Sequence, residues 1–151
     1  MNLRRLLVVI AASVSVAVGC SSSGKKPETS TEVLLNERMG VVLLSQGRAR
    51  EAEDAFRESL RGDPKKADLH DGLGLALVAQ GKTKESLDSF DKAVKLEPEK
   101  ALYRIHRGMV RTQLSRFAEA EEDFKVAENS PSPEDQLDLA LNRGRMRLRT
   151  G

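Results

Sequence analysis

The chain has 151 residues, with 25 Lys+Arg against 23 Asp+Glu, 39% apolar residues, 3% aromatics and no Trp. Its length allows one domain of ordinary size, and the near-balance of charge gives no concentrated basic face of the kind nucleic-acid binding needs. The single Cys excludes an internal disulfide, so a core must be built mostly of Leu, Val and Ala, with Phe at a few fixed places.

Met1–Arg5 carries two positive charges, and Leu6–Val18 is an unbroken run of 13 apolar and small residues. A spanning helix needs about 20 such residues. A basic start, a short apolar run and small residues after it predict a secretory signal peptide over 1–19, with an uncleaved membrane anchor as the competing reading. Ala17-Val18-Gly19-Cys20 resembles a bacterial lipobox, with Ala17 where Leu is usual. That resemblance implies cleavage before Cys20 and acylation of Cys20 on its sulfur and new amino group. Two or more acyl chains hold a protein stably at a membrane. Ser21 resembles the outer-membrane sorting class of Gram-negative lipoproteins, which implies a lipid-anchored protein on the periplasmic face of the outer membrane. Without Arg4 and Arg5 the mature chain is formally neutral. Residues 20–31 then read as the lipidated cysteine and a flexible tether, since Ser21–Ser30 has no large apolar residue to bury.

From residue 32 the chain is periodic. Gly40, Gly74 and Gly108 are 34 residues apart, as are Phe56, Phe90 and Phe124. Pro64 and Pro98 keep the same period; so do Gly47, Gly81 and Ser115, and Ala52, Ser86 and Ala120. A period of this length is the signature of a helical-hairpin solenoid. The small residues let two helices of a hairpin approach, each Phe fills the space between one hairpin and the next, and Gly47 and Gly81 allow tight turns. Asp63-Pro64 and Ser132-Pro133 read as N-cap and N1 pairs. The predicted helices are 32–46, 49–61, 67–80, 83–96, 101–114, 117–129 and 133–149.

These columns resemble the tetratricopeptide repeat, W-x2-L-G-x2-Y followed by A-x3-F and P. The resemblance implies an all-α solenoid over 32–151: three hairpins (33–66, 67–100 and 101–134) and a capping helix (135–151). Gly144, 36 residues after Gly108, begins a fourth unit with about two extra residues in the Pro131–Pro133 turn. Arg107 and Arg111 occupy columns normally packed inside a hairpin, and their heads are expected to reach Glu121 or Glu122.

Little here suggests catalysis. Gly72-Leu73-Gly74 lies in a helical repeat with no preceding strand, and Gly81-Lys82-Thr83 lacks the upstream glycine of a phosphate loop, with Ala76 in its place. His70 and His106 fall in different columns without a ligand cluster, and His70 stands where the repeat has Trp. The expectation is a non-enzymatic protein with no cofactor, metal, nucleic acid or small-molecule substrate.

In tetratricopeptide arrays the first helix of each hairpin lines a concave surface. The resemblance places there Leu34, Glu37, Val41, Leu44 and Ser45; Asp68, Asp71, Leu75, Val78 and Ala79; and Leu102, Ile105, Met109, Thr112 and Gln113. It implies a groove, apolar along its middle and acidic at one margin, with Leu75, Val78, Ile105 and Met109 side by side at its centre. Such a groove suits an apolar helix or strand of another protein, unless the tether, the end helix or a second copy covers it. Arg143–Arg149 suits a solvated helix end, with an acidic partner or anionic lipid as the other reading. The expected role is a membrane-anchored scaffold or assembly factor at the cell envelope; the alternative is a regulator of an envelope enzyme such as a cell-wall synthase.

Overall fold

The computed structural model describes residues 29–151; the expected signal peptide, Cys20 and most of the tether lie outside them. Seven helices and no strands occur among the described residues: α1 Ser30–Ser45, α2 Ala49–Gly62, α3 Ala67–Ala79, α4 Thr83–Leu96, α5 Ala101–Gln113, α6 Phe117–Ala127 and α7 Pro133–Thr150. They form three antiparallel hairpins, α1/α2, α3/α4 and α5/α6, stacked in chain order, with α7 packed on the last pair. This is the expected all-α solenoid.

The repeated glycines and phenylalanines make the hairpins. A Cβ at Gly40, Gly74 or Gly108 would lie 2.8, 2.6 or 2.4 Å from the ring of Phe56, Phe90 or Phe124, one on the second helix of each hairpin. The rings are buried, so any side chain larger than hydrogen would have to displace packed aromatic carbon. Phe56 is also gripped from the next hairpin, where a Cβ at Gly72 would approach within 2.5 Å. On Phe90 the corresponding contact comes from His106, whose ring lies 5.8 Å away, centroid to centroid. Each Phe therefore closes its own hairpin, and the first two also meet a residue of the following one.

The turns inside the hairpins are three copies of one design. The backbone N–H of Arg48, Lys82 and Arg116 donates to the carbonyl of Leu43, Leu77 and Arg111, five residues back. Such a cap needs a left-handed residue just before the donor. Gly47 and Gly81 supply it at φ 74° and 76°, and Ser115 adopts φ 60° in their place.

Two boundaries differ from the sequence reading. Helix α1 starts at Ser30, inside the segment assigned to the tether, because Thr29 and Glu32 form a capping box: Glu32 N–H donates to Thr29 Oγ1 and Thr29 N–H to Glu32 Oε2. Asp63 is the C-cap of α2 and Pro64 lies in the turn, while α3 begins only at Ala67 with Lys66 as its cap. The Ser132-Pro133 pair does start α7 as expected, with Ser132 Oγ accepting from Asp135 N–H.

Hairpin three has a different interior. Its inward columns hold Arg107 and Arg111 where hairpin two has Leu73 and Leu77, and Asp123 where hairpin two has Ser89. The Asp123 carboxylate is 1% exposed. It accepts two hydrogen bonds from Arg107 (2.6 and 2.9 Å), one from Arg111 (2.8 Å) and a long one from Arg104 (3.5 Å). The arginine heads thus reach Asp123 rather than Glu121 or Glu122. Arg107 also donates to Asp91 of α4, so the cluster reaches across the hairpin boundary. Burial lowers the Arg107 pKa, but Asp123 and Asp91 outweigh it and leave the group above its ordinary value.

Candidate functional site

The concave surface is built from the first helix of each hairpin and from α7. Leu34 and Val41 of α1 are exposed, and Leu44 is half-buried against the core of the first two hairpins. Leu75 and Val78 of α3 and Met109 of α5 are brought together: all three are half-buried against one cluster of Leu87, Phe90 and Val110. Ile105 is not with them at the surface. It is 0% exposed, in a cluster with Phe124 of α6 and with Leu139 and Met146 of α7. The capping helix supplies part of that cover, so Ile105 offers nothing to a partner.

The acidic margin is occupied from within. The Lys66 ammonium donates to Glu37 at 2.5 Å, the Tyr103 hydroxyl to Asp68 at 2.6 Å, and His106 Nδ1 to Asp71 at 2.8 Å. Burial and the Asp68 carboxylate together push the Tyr103 phenol above its ordinary range. Asp68–Tyr103 and Asp71–His106 each span 35 residues and bind α3 to α5. Glu37 and Asp71 are therefore structural ties. His70 Nε2 donates to the Pro64 carbonyl at 2.9 Å, so it too holds a turn. Among the described residues no group of His, Cys, Asp and Glu could hold a metal ion, and no helix is long and apolar enough to cross a membrane.

Where the groove meets α7 there is a cleft of about 460 Å³, lined by Met109, Thr112, Gln113, Asn142, Arg145, Leu148 and Arg149. Leu148 is 88% exposed. The Arg149 guanidinium donates to the Thr112 carbonyl at 3.3 Å. The sequence reading gives Arg143–Arg149 an acidic partner or anionic lipid as its second reading but does not place the α7 residues at the groove. Their signal was the register: with a 36-residue offset, Arg145 and Leu148 fall in the columns of Met109 and Thr112. The surface that remains open is apolar on α1, α3 and α5 and basic at the α7 end.

Stacked hairpins with repeated Gly–Phe contacts define a helical-repeat solenoid. The family profile described as tetratricopeptide repeat matches residues 37–94 and 72–134, more than half of the chain, and the chain belongs to that family. Comparison with curated proteins finds no match. Among solved structures the chain is similar to the type III secretion translocator chaperone SycD of Yersinia enterocolitica in complex with a peptide of the translocator YopD. That likeness has 16% identity, covers 82% of this chain and 98% of the other, and has a TM-score of 0.71. A type III secretion complex from Aeromonas hydrophila is similar at 20% identity, 80% and 81% coverage and a TM-score of 0.70. The first tetratricopeptide domain of Spaghetti, bound to an HSP90 peptide, is similar at 20% identity, 81% and 98% coverage and a TM-score of 0.69.

Proposed function

We propose that this chain is a non-enzymatic binding module, anchored to the cell envelope through lipid on Cys20, whose concave surface takes an apolar segment of another protein. The observation that carries the reading is the cleft at Met109. Leu75, Val78 and Met109 share one apolar support, and Arg145 and Arg149 stand at its α7 end. The acids of the opposite margin are already paired. A partner segment that fits carries apolar side chains along the groove and a carboxylate, from Asp, Glu or a chain end, toward the arginines. Two of the similar structures hold peptides, which favours the same use of this surface. Met109 adds adaptability to it. The lipid anchor and the outer-membrane location rest on Gly19-Cys20-Ser21.

Two experiments test the two halves. A photo-reactive residue at Met109 should crosslink one partner protein in intact membranes. The same residue at Lys92, exposed on α4, should not. Arg145→Glu should weaken the Met109 crosslink at least tenfold while the helical circular dichroism is unchanged. Equal crosslinking from Lys92 and Met109 would remove the groove from the account. For the anchor, labelled palmitate should enter the protein, and Cys20→Ser should block both labelling and processing. An unlabelled wild type that keeps its first 19 residues would refute lipidation.

A further inference from the structure

We infer that the outward face of α1 lies on the membrane, with Leu35, Met39 and Val42 among the lipids and Arg38 at their phosphates; this builds on the lipid-anchor reading of Cys20. In α3 and α5 the columns of that face pack on the hairpin before them. Leu69 and Ala76 of α3 are fully buried in the cluster of Phe56, and a Cβ at Gly72 would meet the Phe56 ring. In α5, Tyr103 packs with Ala93 and Val94, Val110 with Leu87 and Phe90, and His106 meets the Phe90 ring. One period before α3 the same columns hold Leu35, Arg38 and Val42. Among the described residues no hairpin lies before α1, so Leu35 is 60% and Val42 48% exposed, with Met39 at 47% beside them. Arg38 is exposed as well.

The residues that precede α1 decide what covers this face. Ser21–Thr29 has no apolar residue larger than Pro27, so it cannot stand in for a hairpin. It does fix where the face can be. Ser30 is ten residues after Cys20, and ten residues reach no more than about 35 Å however they are arranged. An acylated Cys20 therefore keeps the start of α1 within that distance of the bilayer, so even a modest apolar face meets lipid at high local concentration. Charge points the same way. Around the helix from Leu34 through Val42 and Leu35 to Met39, the one ionisable side chain is Arg38, which has no ion-pair partner among the described residues. The acids of α1 are engaged elsewhere, Glu37 with Lys66 and Glu32 with Thr29 in the cap. Lys25 and Lys26 add cations between this face and the anchor. An apolar stripe with cations beside it suits an anionic lipid surface. Two copies meeting on this face about a two-fold axis would instead set Arg38, midway between Leu35 and Val42, against its own image. Leu35, Arg38 and Val42 are not concave columns, so the groove stays open to a partner while α1 lies on lipid.

The chain has no Trp, so a single introduced Trp reports on one place. The full chain is purified from the membranes of cells given labelled palmitate. It is then reconstituted in vesicles of phosphatidylethanolamine and phosphatidylglycerol whose acyl chains carry bromine, which quenches Trp on contact. Leu35→Trp should be quenched at least threefold more strongly than Leu148→Trp on α7, at the other end of the stack. Adding Val42→Glu should bring the Leu35→Trp quenching down to the Leu148→Trp level without changing the helical circular dichroism. Adding Arg38→Gln instead should weaken it in these vesicles but not in brominated phosphatidylcholine alone. Equal quenching at the two positions overturns the inference, as does quenching that ignores Val42→Glu. So does a blue-shifted Leu35→Trp emission that bromine leaves unchanged, because protein then covers the face. The palmitate label reads the anchor separately: label without quenching refutes the docking alone, and quenching without label refutes the anchor alone.

Discussion

Asp123 is the residue whose removal should damage the fold most for its size. Arg107 and Arg111 hold its carboxylate at 2.6–2.9 Å, and the three arginines around it are only 13–18% exposed. At an effective dielectric constant near 20, each close pair contributes about 4 kcal/mol of attraction, and desolvation of the buried ions offsets much of it. The whole cluster is thus near neutral, but half a cluster is not. Asp123→Ala leaves guanidinium groups facing one another without their shared buried counter-charge, with only the half-exposed Asp91 and Glu119 beside them, which costs about 3–5 kcal/mol. For some 120 folded residues that is roughly 12–20 °C in melting temperature. Hairpin two supplies the control. The triple variant Arg107→Leu, Arg111→Leu, Asp123→Ser copies Leu73, Leu77 and Ser89, and it should melt close to the wild type or above it. The assay is thermal and urea unfolding followed by circular dichroism, with hydrogen exchange on α5 and α6 to show that the loss is local to hairpin three. A single variant costing less than about 1 kcal/mol would refute the reasoning, as would a triple variant no better than the single.

Ser115→Gly should raise the melting temperature by about 2–4 °C, because the left-handed Ser115 then matches Gly47 and Gly81 at a gain of about 0.5–1 kcal/mol; a lower melting temperature would show that the Ser115 side chain contributes something else. Gly74→Leu should cost about 1–3 kcal/mol or more by overpacking Phe90, read as a lowered urea midpoint with the helical spectrum intact below it. Burial raises the Glu53 pKa, but hydrogen bonds from Lys82, Gln80 and Arg57 outweigh it and bring the carboxyl down from 4.5 to about 2. A depressed carboxylate stabilises the fold above its unfolded value and loses that contribution as pH falls through its folded one. Stability should therefore drop by about 2–3 kcal/mol between pH 4.5 and 2 on account of Glu53, and Glu53→Gln should flatten that part of the pH profile; identical profiles would count against the ion-pair account.

The repeat columns were legible because they are mechanical. Gly74 and Phe90 touch, so neither can drift without the other, and a period of 34 follows. Helix ends were legible to within about two residues for the same reason: the turns at Gly47, Gly81 and Ser115 repeat. What misled was composition read without pattern. Thr29 and Glu32 lie in or beside a polar stretch, yet their spacing is a capping box. Asp123 was legible in principle, because it shares a column with Ala55 and Ser89, small residues that face inward. A carboxylate in that column opposite Arg107 and Arg111 marks a pair, whereas Glu121 and Glu122 sit on other faces of α6. Ile105 could not be placed from its column alone. Whether it is open depends on where α7 packs, and Leu139 and Met146 of α7 share its cluster.

The ties along the groove bear on how it can bind. Asp68–Tyr103 and Asp71–His106 join α3 to α5 by partly buried hydrogen bonds, and Lys66–Glu37 joins the α2–α3 turn to α1. These contacts fix the spacing of the first helices before any partner arrives. A surface already held in shape loses little entropy on binding, so modest apolar contact can suffice. The same contacts remove acidic groups from the partner's reach. On the proposed reading, what is left to discriminate among partners is the apolar side chains of Leu34, Val41, Leu75, Val78 and Met109, with the cations at Arg145 and Arg149. Exposed cations at one end of an apolar groove set direction more than affinity, since surface ion pairs are weak and screened by salt. If the groove binds as proposed, its apolar middle should govern how tightly a segment is held, and the α7 end which way round it lies.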